Sequence, residues 1–192
     1  MNEVAENNNS FSYKDCDFEQ KFFIDLRFVM KKMYLSPNSF MLESDFCRKY
    51  NLKRKGMFFC MKNKIGEGRF ASPKSIFPEV YCERGYCHYS ALKFAYSDYF
   101  DNVEIQFGYY KPKIAKKEML HSICEFTMGG QKFVFDGANY LIMSSSLYKK
   151  LFNFHSLTII TKQELLKDVK TLNSILKSKN NYARAVCKSS MK

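Results

Sequence analysis

Three side chains that together can carry out nucleophilic chemistry are Cys87, His121 and Asp136. Cys87 follows Gly85, which permits a tight turn, and it precedes a segment with the periodicity of a helix. Unpaired backbone N–H groups at a helix start stabilise a thiolate, and they also stabilise the oxyanion formed after attack on a carbonyl. A histidine can remove the thiol proton and a carboxylate can orient the imidazole, so the three types supply a nucleophile, a base and an orienting group.

A β-hairpin is predicted to bring His121 and Asp136 together. The Gly-Gly pair at 129–130 separates two alternating segments, 121–128 and 131–136, and such a pair is typical of a two-residue hairpin turn. In that register Asp136 lies diagonally across from His121 on a mixed, polar face, roughly 7–8 Å away at the backbone. A one-residue bulge would break this inference. The opposite face is expected to be the core face and carries Cys124, Phe126, Met128, Phe133 and Phe135.

The nucleophile segment and the hairpin resemble those of a known superfamily. Residues 84–91 read Arg-Gly-Tyr-Cys-His-Tyr-Ser-Ala, and this G-x-C before a helix is similar to the nucleophile segment of transglutaminase-like and related papain-like cysteine enzymes. The strand beginning at His121, the glycine turn and the strand ending at Asp136 resemble that superfamily too, as does the order Cys, His, Asp. The resemblance covers about residues 81–140 of the chain.

The resemblance implies an α+β fold with a papain-like or transglutaminase-like core, in which N-terminal helices pack on a small antiparallel sheet. It implies a thiol nucleophile at Cys87, a general base at His121 and its orienting carboxylate at Asp136. Two positions depart from the superfamily pattern, because His88 and Ile123 stand where aromatic residues are common.

The expected function is acyl transfer through a thioester at Cys87. The acceptor could be water, as in a peptidase, amidase or deamidase, or an amine, as in a transglutaminase. The expected partner is therefore a protein or peptide substrate with an amide bond or an amide side chain. No cofactor and no metal are expected to take part.

Each of these residues also has a structural interpretation. Cys87 could be a small buried apolar side chain, and His121 with Asp136 could be a structural hydrogen-bonded pair. Zinc is the main chemical rival, since Cys82, Cys87, His88, His121 and Cys124 are suitable ligand types. No CxxC spacing is present, and His121 and Cys124 would point to opposite faces of a strand, so a zinc site is not predicted.

Three further side chains are given minor roles. His88 is expected to be non-essential, because it occupies the next helical position after the nucleophile. His155 is expected to be a helix-terminal or partly buried histidine. Tyr81 is the nearest upstream candidate for a side chain that stabilises the oxyanion.

The net charge of +12 defines the alternative function, a non-enzymatic basic module that contacts nucleic acid or an acidic protein. Residues 48–75 hold nine basic groups against Glu67 alone, and residues 162–192 hold eight against two acids. Lys outnumbers Arg 25 to 6, whereas bidentate reading of phosphates or bases prefers Arg. The composition therefore favours a solvated Lys-rich surface with weak polyanion contact.

The chain length of 192 residues fits one domain. We expect a disordered N-terminal arm (1–14), a single catalytic domain (15–180) and a basic flexible tail (181–192). Residues 62–79 contain Gly66, Gly68 and two prolines and read as a long loop. The helices are predicted at 17–35, 39–50, 87–99, 145–152 and 161–176, and the strands at 56–61, 103–109, 121–128, 131–136 and 157–160.

The location expected from the sequence is the cytoplasm. The first 20 residues hold five acids and one Lys, which is unlike a secretory signal, and no stretch approaches the roughly 20 apolar residues of a membrane span. Seven cysteines without regular spacing favour free thiols in a reducing compartment. Secretion of a leaderless effector is the open alternative, and no contact with a membrane is expected.

Overall fold

The structure is a computed structural model that describes residues 12–36 and 40–167, and it is a mixed α+β fold. The helices are α1 (Phe18–Leu35), α2 (Phe40–Tyr50), α3 (Cys87–Tyr96), α4 (Ser145–Phe152) and α5 (Lys162–Leu166). The strands are β1 (Lys53–Lys55), β2 (Phe58–Asn63), β3 (Gly66–Ala71), β4 (Val103–Tyr110), β5 (Met119–Met128), β6 (Gln131–Asp136), β7 (Leu141–Ser144) and β8 (His155–Thr161).

One eight-stranded sheet runs through the protein in the order β1-β2-β3-β7-β6-β5-β4-β8, and all neighbouring strands are antiparallel. The prediction of a small sheet was wrong. One of the strands that the prediction did not include is β3, which lies within the predicted long loop at residues 62–79. Gly68 explains the error, because a β-carbon there would overlap the Ser144 side chain, so this glycine serves close packing within a strand.

Both faces of the sheet are covered, so the chain has two apolar cores. Helices α1, α2 and α4 cover the face that carries Ile123 and Val134. Helix α3 covers the face that carries Cys124, Phe126, Phe133 and Phe135, which confirms the predicted core face of the hairpin. The face of His121 is therefore a second core and not merely a mixed, polar surface.

The predicted helices are present wherever the structure describes them. Asp17 caps α1 by accepting a hydrogen bond from the backbone N–H of Gln20 (2.8 Å), and Thr161 with Glu164 forms the predicted capping box of α5. Helix α3 ends at Tyr96 and not at residue 99. The last helix is described only as far as α5, because its predicted continuation lies outside the described residues.

The structure near the N-terminus differs from the predicted boundary of the N-terminal arm. Residues 13–15 form a 3-10 turn, and the Tyr13 hydroxyl donates a hydrogen bond to Asp25 (2.9 Å). Residues 13 and 14 of the predicted disordered arm therefore belong to regular structure, while residues 1–11 and the predicted tail at 181–192 lie outside the described residues. All six cysteines in the described ranges are free. In those ranges no helix has both the length and the apolarity needed to cross a bilayer.

The start of α3 meets the sheet where β6 ends. Strand β5 pairs with β4 from Met119 to Phe126, but β6 pairs with β5 only as far as Cys124. Beyond that point β6 turns into a 3-10 turn at residues 137–139. A β-carbon at Gly137 would overlap the Ser90 side chain, so this turn and α3 are in close contact. Cys87, at the start of α3, interacts with His121 in the part of β5 beyond its pairing with β6.

Candidate active site

Cys87 is the first residue of α3 and is partly buried. Gly85 makes the preceding turn with a φ of 85°, and the backbone N–H of Tyr86 donates to the carbonyl of Glu83 (3.2 Å). The first helical hydrogen bond runs from the Ser90 N–H to the Tyr86 carbonyl (2.9 Å), so the preceding N–H groups of this turn have no intrahelical acceptor. These donors and the positive helix end lie beside the sulfur.

His121 lies on β5 and is only 3% exposed. Its Nε2 is 2.9 Å from the Asp136 Oδ2, although the N–H does not point squarely at the oxygen, so the contact is chiefly an ion pair. The Tyr110 ring stacks on the imidazole with a centroid distance of 4.2 Å and holds it from the other side. Since Nε2 is the nitrogen beside the carboxylate, Nδ1 is the one left to interact with the Cys87 sulfur.

Asp136 is completely buried and is surrounded by donors. The Tyr148 hydroxyl donates to Oδ2 (2.7 Å), as does the side-chain amide of Asn139 (2.6 Å), while the Asn139 backbone N–H donates to Oδ1 (3.2 Å). Burial alone would raise the pKa of this carboxyl, but the charge of His121 and these hydrogen bonds outweigh it and lower the pKa. Asp136 is therefore a fixed negative charge.

The electrostatics of the three groups favour a thiolate and an imidazolium. Burial opposes ionisation of Cys87, but hydrogen bonds from His121 and His88, together with their charges, lower the pKa of the thiol from 9.0 to about 5. Burial also opposes the charge on His121, but Asp136 and then Cys87 raise the pKa of the imidazole from 6.5 to about 10. At neutral pH the sulfur is thus an ionised nucleophile beside a proton donor.

His88, which was expected to be non-essential, has defined contacts beside the nucleophile. Its Nδ1 is hydrogen-bonded to the Ser122 hydroxyl, and its ring stacks on Phe107 with a centroid distance of 5.9 Å. So held, the imidazole contributes to the low pKa of the Cys87 thiol. The nucleophile therefore has a histidine on each of two sides, one from its own helix and one from β5.

Sequence reasoning missed the residues that hold the carboxylate. Asn139 had a local signal, because Asp136 accepts from the N–H three residues later and caps the 3-10 turn, as Asp commonly does after a strand. Tyr148 had none, because it reaches Asp136 from α4, across the packed layer. Tyr110 likewise became a neighbour of His121 only through the pairing of β4 with β5.

The other candidates take different places. The Tyr81 hydroxyl donates to Glu83 and its ring packs edge-on against Tyr89 at 5.0 Å, so its polar group is directed at that carboxylate. His155 is the exposed first residue of β8, so the prediction of a helix-terminal or partly buried histidine was wrong. Within residues 12–36 and 40–167, no group of three or more His, Cys, Asp or Glu side chains is arranged to hold a metal ion.

The buried cysteines differ sharply from Cys87. Burial raises the pKa of Cys124 well above its usual range, and the Cys124 sulfur donates to the Ala91 carbonyl (3.0 Å). Burial and the charge of Asp136 likewise raise the pKa of the Cys82 thiol. These two thiols are neutral core side chains, so the low pKa of Cys87 reflects its particular neighbours.

Comparison with known proteins identifies no relative. No family model, no curated protein and no solved structure matches this chain. The residues of the site are therefore the basis for assigning a function.

Proposed function

We propose that this protein is a cysteine-dependent acyl-transfer enzyme in which Cys87 forms a thioester with the substrate. The observation that carries the proposal is the convergence of the Cys87 sulfur, the His121 imidazole and the buried Asp136 carboxylate, with Nε2 and Oδ2 only 2.9 Å apart. The lowered thiol pKa and the raised imidazole pKa are those required of a nucleophile and its proton donor.

The proposed first half-reaction uses the ion pair as it stands. The thiolate attacks an amide carbonyl carbon, and the negative charge that develops on oxygen is stabilised by the free N–H groups at the start of α3. His121 then donates its proton to the departing nitrogen as the C–N bond breaks, which leaves a thioester and a neutral imidazole.

In the second half-reaction the neutral imidazole acts as a base. Water or an amine attacks the thioester carbonyl while His121 removes its proton, and the Cys87 thiolate leaves. Asp136 keeps the imidazole oriented throughout and stabilises its charged form. Water gives hydrolysis of a peptide bond or deamidation of a side chain, and an amine gives transamidation.

The same features support a papain-like or transglutaminase-like core as the finer description of the fold. A cysteine at the start of a helix, a histidine on one strand and an aspartate at the end of the adjacent strand match the order and the placement that the motif resemblance implies. The substrate that fits this chemistry is a protein or peptide with an amide bond or an amide side chain.

The proposal is tested by alkylation with limiting iodoacetamide at pH 5.5, followed by peptide mapping. We expect Cys87 to react first among the seven cysteines. The variant His121→Ala should lose this preference, whereas His155→Ala, which removes an exposed histidine on β8, should keep it. Equal, slow labelling of all accessible thiols in the folded wild type would refute the enzyme proposal. Thermal melts of each variant establish that it is folded.

The substrate is sought separately by incubating a cell lysate with the protein and searching by mass spectrometry for cleaved, deamidated or cross-linked proteins. Cys87→Ser is the matched control, because it changes one sulfur to oxygen and leaves the Lys- and Arg-rich surface unchanged. Products that appear equally with this variant do not derive from the thiol.

A second candidate function is polyanion binding by a groove across the first strands of the sheet. This groove has a volume of ≈ 530 Å³, and its lining includes Lys53, Lys62 and Arg69 but only one acid, Glu67. Its charge favours phosphate-rich partners and predicts salt-sensitive binding. A steep loss of retention on heparin resin with rising salt supports this function, and a shallow one excludes it.

A further inference from the structure

A second basic groove, distinct from the one across β1–β3, opens beside the proposed active site. It has a volume of ≈ 210 Å³ and lies between α1 and the turn that follows β6. Three cationic side chains contribute to its lining, Arg27 and Lys31 from α1 and Arg84 from the turn before Cys87, and no Asp or Glu lines it.

The groove is linked to the proposed catalytic residues through two of the residues that line it. Asn139 lines it and also donates its side-chain N–H to Asp136 (2.6 Å). Arg84 lines it and stands three residues before Cys87, on the turn that leads into α3. The positive charge of Arg27 also acts to lower the pKa of Tyr110, which burial and Asp136 raise. A ligand in the groove would therefore lie next to the turn that leads into Cys87 and next to Asn139, which holds Asp136.

The cations of this groove are not neutralised by their neighbours. Among residues 12–36 and 40–167, no carboxylate lies within 4.0 Å of the charged nitrogens of Arg27, Lys31 or Arg84. Other basic residues near α1 and α2 do have acidic partners, for example Lys49 with Asp25 (2.7 Å). Three cations with no carboxylate partner in the part of the chain that the structure describes, set around a concave surface, create a positive potential that favours an anionic ligand.

An apolar wall accompanies the charge. Phe28 on α1 is 51% exposed, and Ile24 and Ile114 also line the groove. Such a surface can cover the aliphatic part of an acidic side chain while an arginine fork binds its carboxylate.

We propose that this groove binds a carboxylate of the acyl substrate, so that the enzyme prefers an acidic peptide segment next to the reacting carbonyl. This inference rests on the proposed function, because it assigns the substrate class of the same site. Arg27 and Arg84 hold the carboxylate, and the groove thereby places the neighbouring carbonyl at Cys87.

The test compares the rates at which iodoacetate and iodoacetamide alkylate Cys87. The two reagents share a leaving group and a size but differ in charge, so the ratio of their rates reports the local potential. In the double variant Arg27→Gln/Arg84→Gln we expect the iodoacetate-to-iodoacetamide ratio to fall by about tenfold at low salt. Raising the salt to 0.3 M should reduce the wild-type ratio towards that of the variant.

The matched control is Lys55→Gln/Lys150→Gln, which removes two exposed positive charges on β1 and α4. Its ratio should equal that of the wild type, because neither residue lines the groove. An equal ratio in the arginine variant and the wild type would overturn the groove assignment while leaving the reactive thiol intact. If Cys87 shows no selective reaction with either reagent, the proposed function itself fails.

A protection experiment distinguishes the source of the negative charge. Glutarate, as a model of an acidic side chain, should slow the reaction of Cys87 with iodoacetamide in the wild type and not in Arg27→Gln/Arg84→Gln. Stronger protection by inorganic phosphate than by glutarate would show that the groove recognises phosphate, and would overturn the assignment of an acidic peptide.

Discussion

The pH dependence of Cys87 alkylation examines the proposed ion pair most directly. With a thiol pKa of about 5, Cys87 is already mostly ionised at pH 5.5, whereas a thiol with the ordinary value of 9.0 is almost entirely protonated. The ratio of their thiolate fractions at that pH is about 2,000. Its low pKa also makes the Cys87 thiolate a weaker nucleophile.

The weaker nucleophilicity of the Cys87 thiolate partly offsets its larger ionised fraction at low pH. A Brønsted coefficient of 0.4–0.5 applied to a pKa difference of four units makes the ionised form of Cys87 about 60-fold less reactive than the ionised form of an ordinary thiol. Cys87 should therefore react about 40-fold faster than an ordinary thiol at pH 5.5, but at a comparable rate at pH 7.5. Labelling at neutral pH alone would hide the difference that the structure predicts.

The assay follows iodoacetamide labelling of each cysteine by quantitative peptide mapping between pH 4 and 9. The rate at Cys87 should rise with a midpoint near 5 and be flat above pH 6.5, because the thiolate is then fully formed. The same cysteine in urea-unfolded protein is the internal control, and its rate should rise about tenfold per pH unit up to pH 8. A folded-state midpoint above pH 8 would refute the ion pair and the mechanism built on it.

Four further predictions concern Cys87 and the residues that position or tune it. Asp136→Asn should raise the midpoint of Cys87 labelling by at least about one pH unit, because it removes the charge that holds His121 protonated. His88→Phe should raise that midpoint by about one unit, or ~1.4 kcal/mol of thiolate stabilisation, while urea melts show the fold retained. Gly137→Ala should lower the free energy of unfolding in urea by about 1–3 kcal/mol, because the added methyl overlaps α3. The difference in free energy of unfolding between wild type and Cys87→Ser should grow by up to ~1.4 kcal/mol per pH unit as pH rises from about 5 towards 9.0. The reason is that the lowered thiol pKa contributes stability to the folded protein, and this contribution is lost as pH falls through about 5.

Each of these outcomes has a contrary result. An unchanged midpoint in Asp136→Asn would mean that the carboxylate has no influence on the thiol. An unchanged midpoint in His88→Phe would support the expectation that His88 is non-essential. Full stability of Gly137→Ala would show that the turn can move away from α3. A difference in stability that does not vary with pH would mean that Cys87 ionises alike in the folded and unfolded protein.

The hairpin shows what local chemistry could establish in advance. The Gly-Gly turn predicted the register of β5 and β6, and the structure confirms it with Cys124 opposite Phe135 and Met128 opposite Gln131. Gly129 and Gly130 both have positive φ, which glycine adopts without strain, so the turn type follows from the two residues themselves. The proximity of His121 and Asp136 was therefore contained in the local sequence.

Strands β3 and β7 show where that reasoning failed. Glycines at 66 and 68 read as loop signals, but a β-carbon at either position would meet Leu147 on α4, so a helix distant in sequence sets the requirement. Strand β7 is buried at all four positions and has no alternation that could have distinguished it from a loop or a helix. In both cases the decisive information lies in packing between elements and not within either segment.

The candidate site likewise combines residues that local sequence indicates with residues that only packing between elements brings in. Residue types and order indicated Cys87, His121 and Asp136, because a nucleophile, a base and a carboxylate are recognisable from sequence. The side chains that tune them, His88 and Tyr148, could not be assigned a role, because their contacts depend on how α3 and α4 lie against the sheet.

A purely structural His–Asp pair does not explain the arrangement as a whole. Burying two charges costs free energy, and apolar side chains of similar volume are often as stable, so stability alone gives little reason to keep His121 and Asp136 in the core. Nor does it explain the third partner. Cys87 is only partly buried, lies at a helix start with free N–H groups, and is ionised by two histidines. A core-filling cysteine is expected to resemble Cys124, which is fully buried and neutral. These two sulfurs lie on the same helix–strand pair, Cys87 at the start of α3 and Cys124 on β5 against Ala91 of α3. The contrast between them is what favours chemistry over packing as the reason for the buried charges.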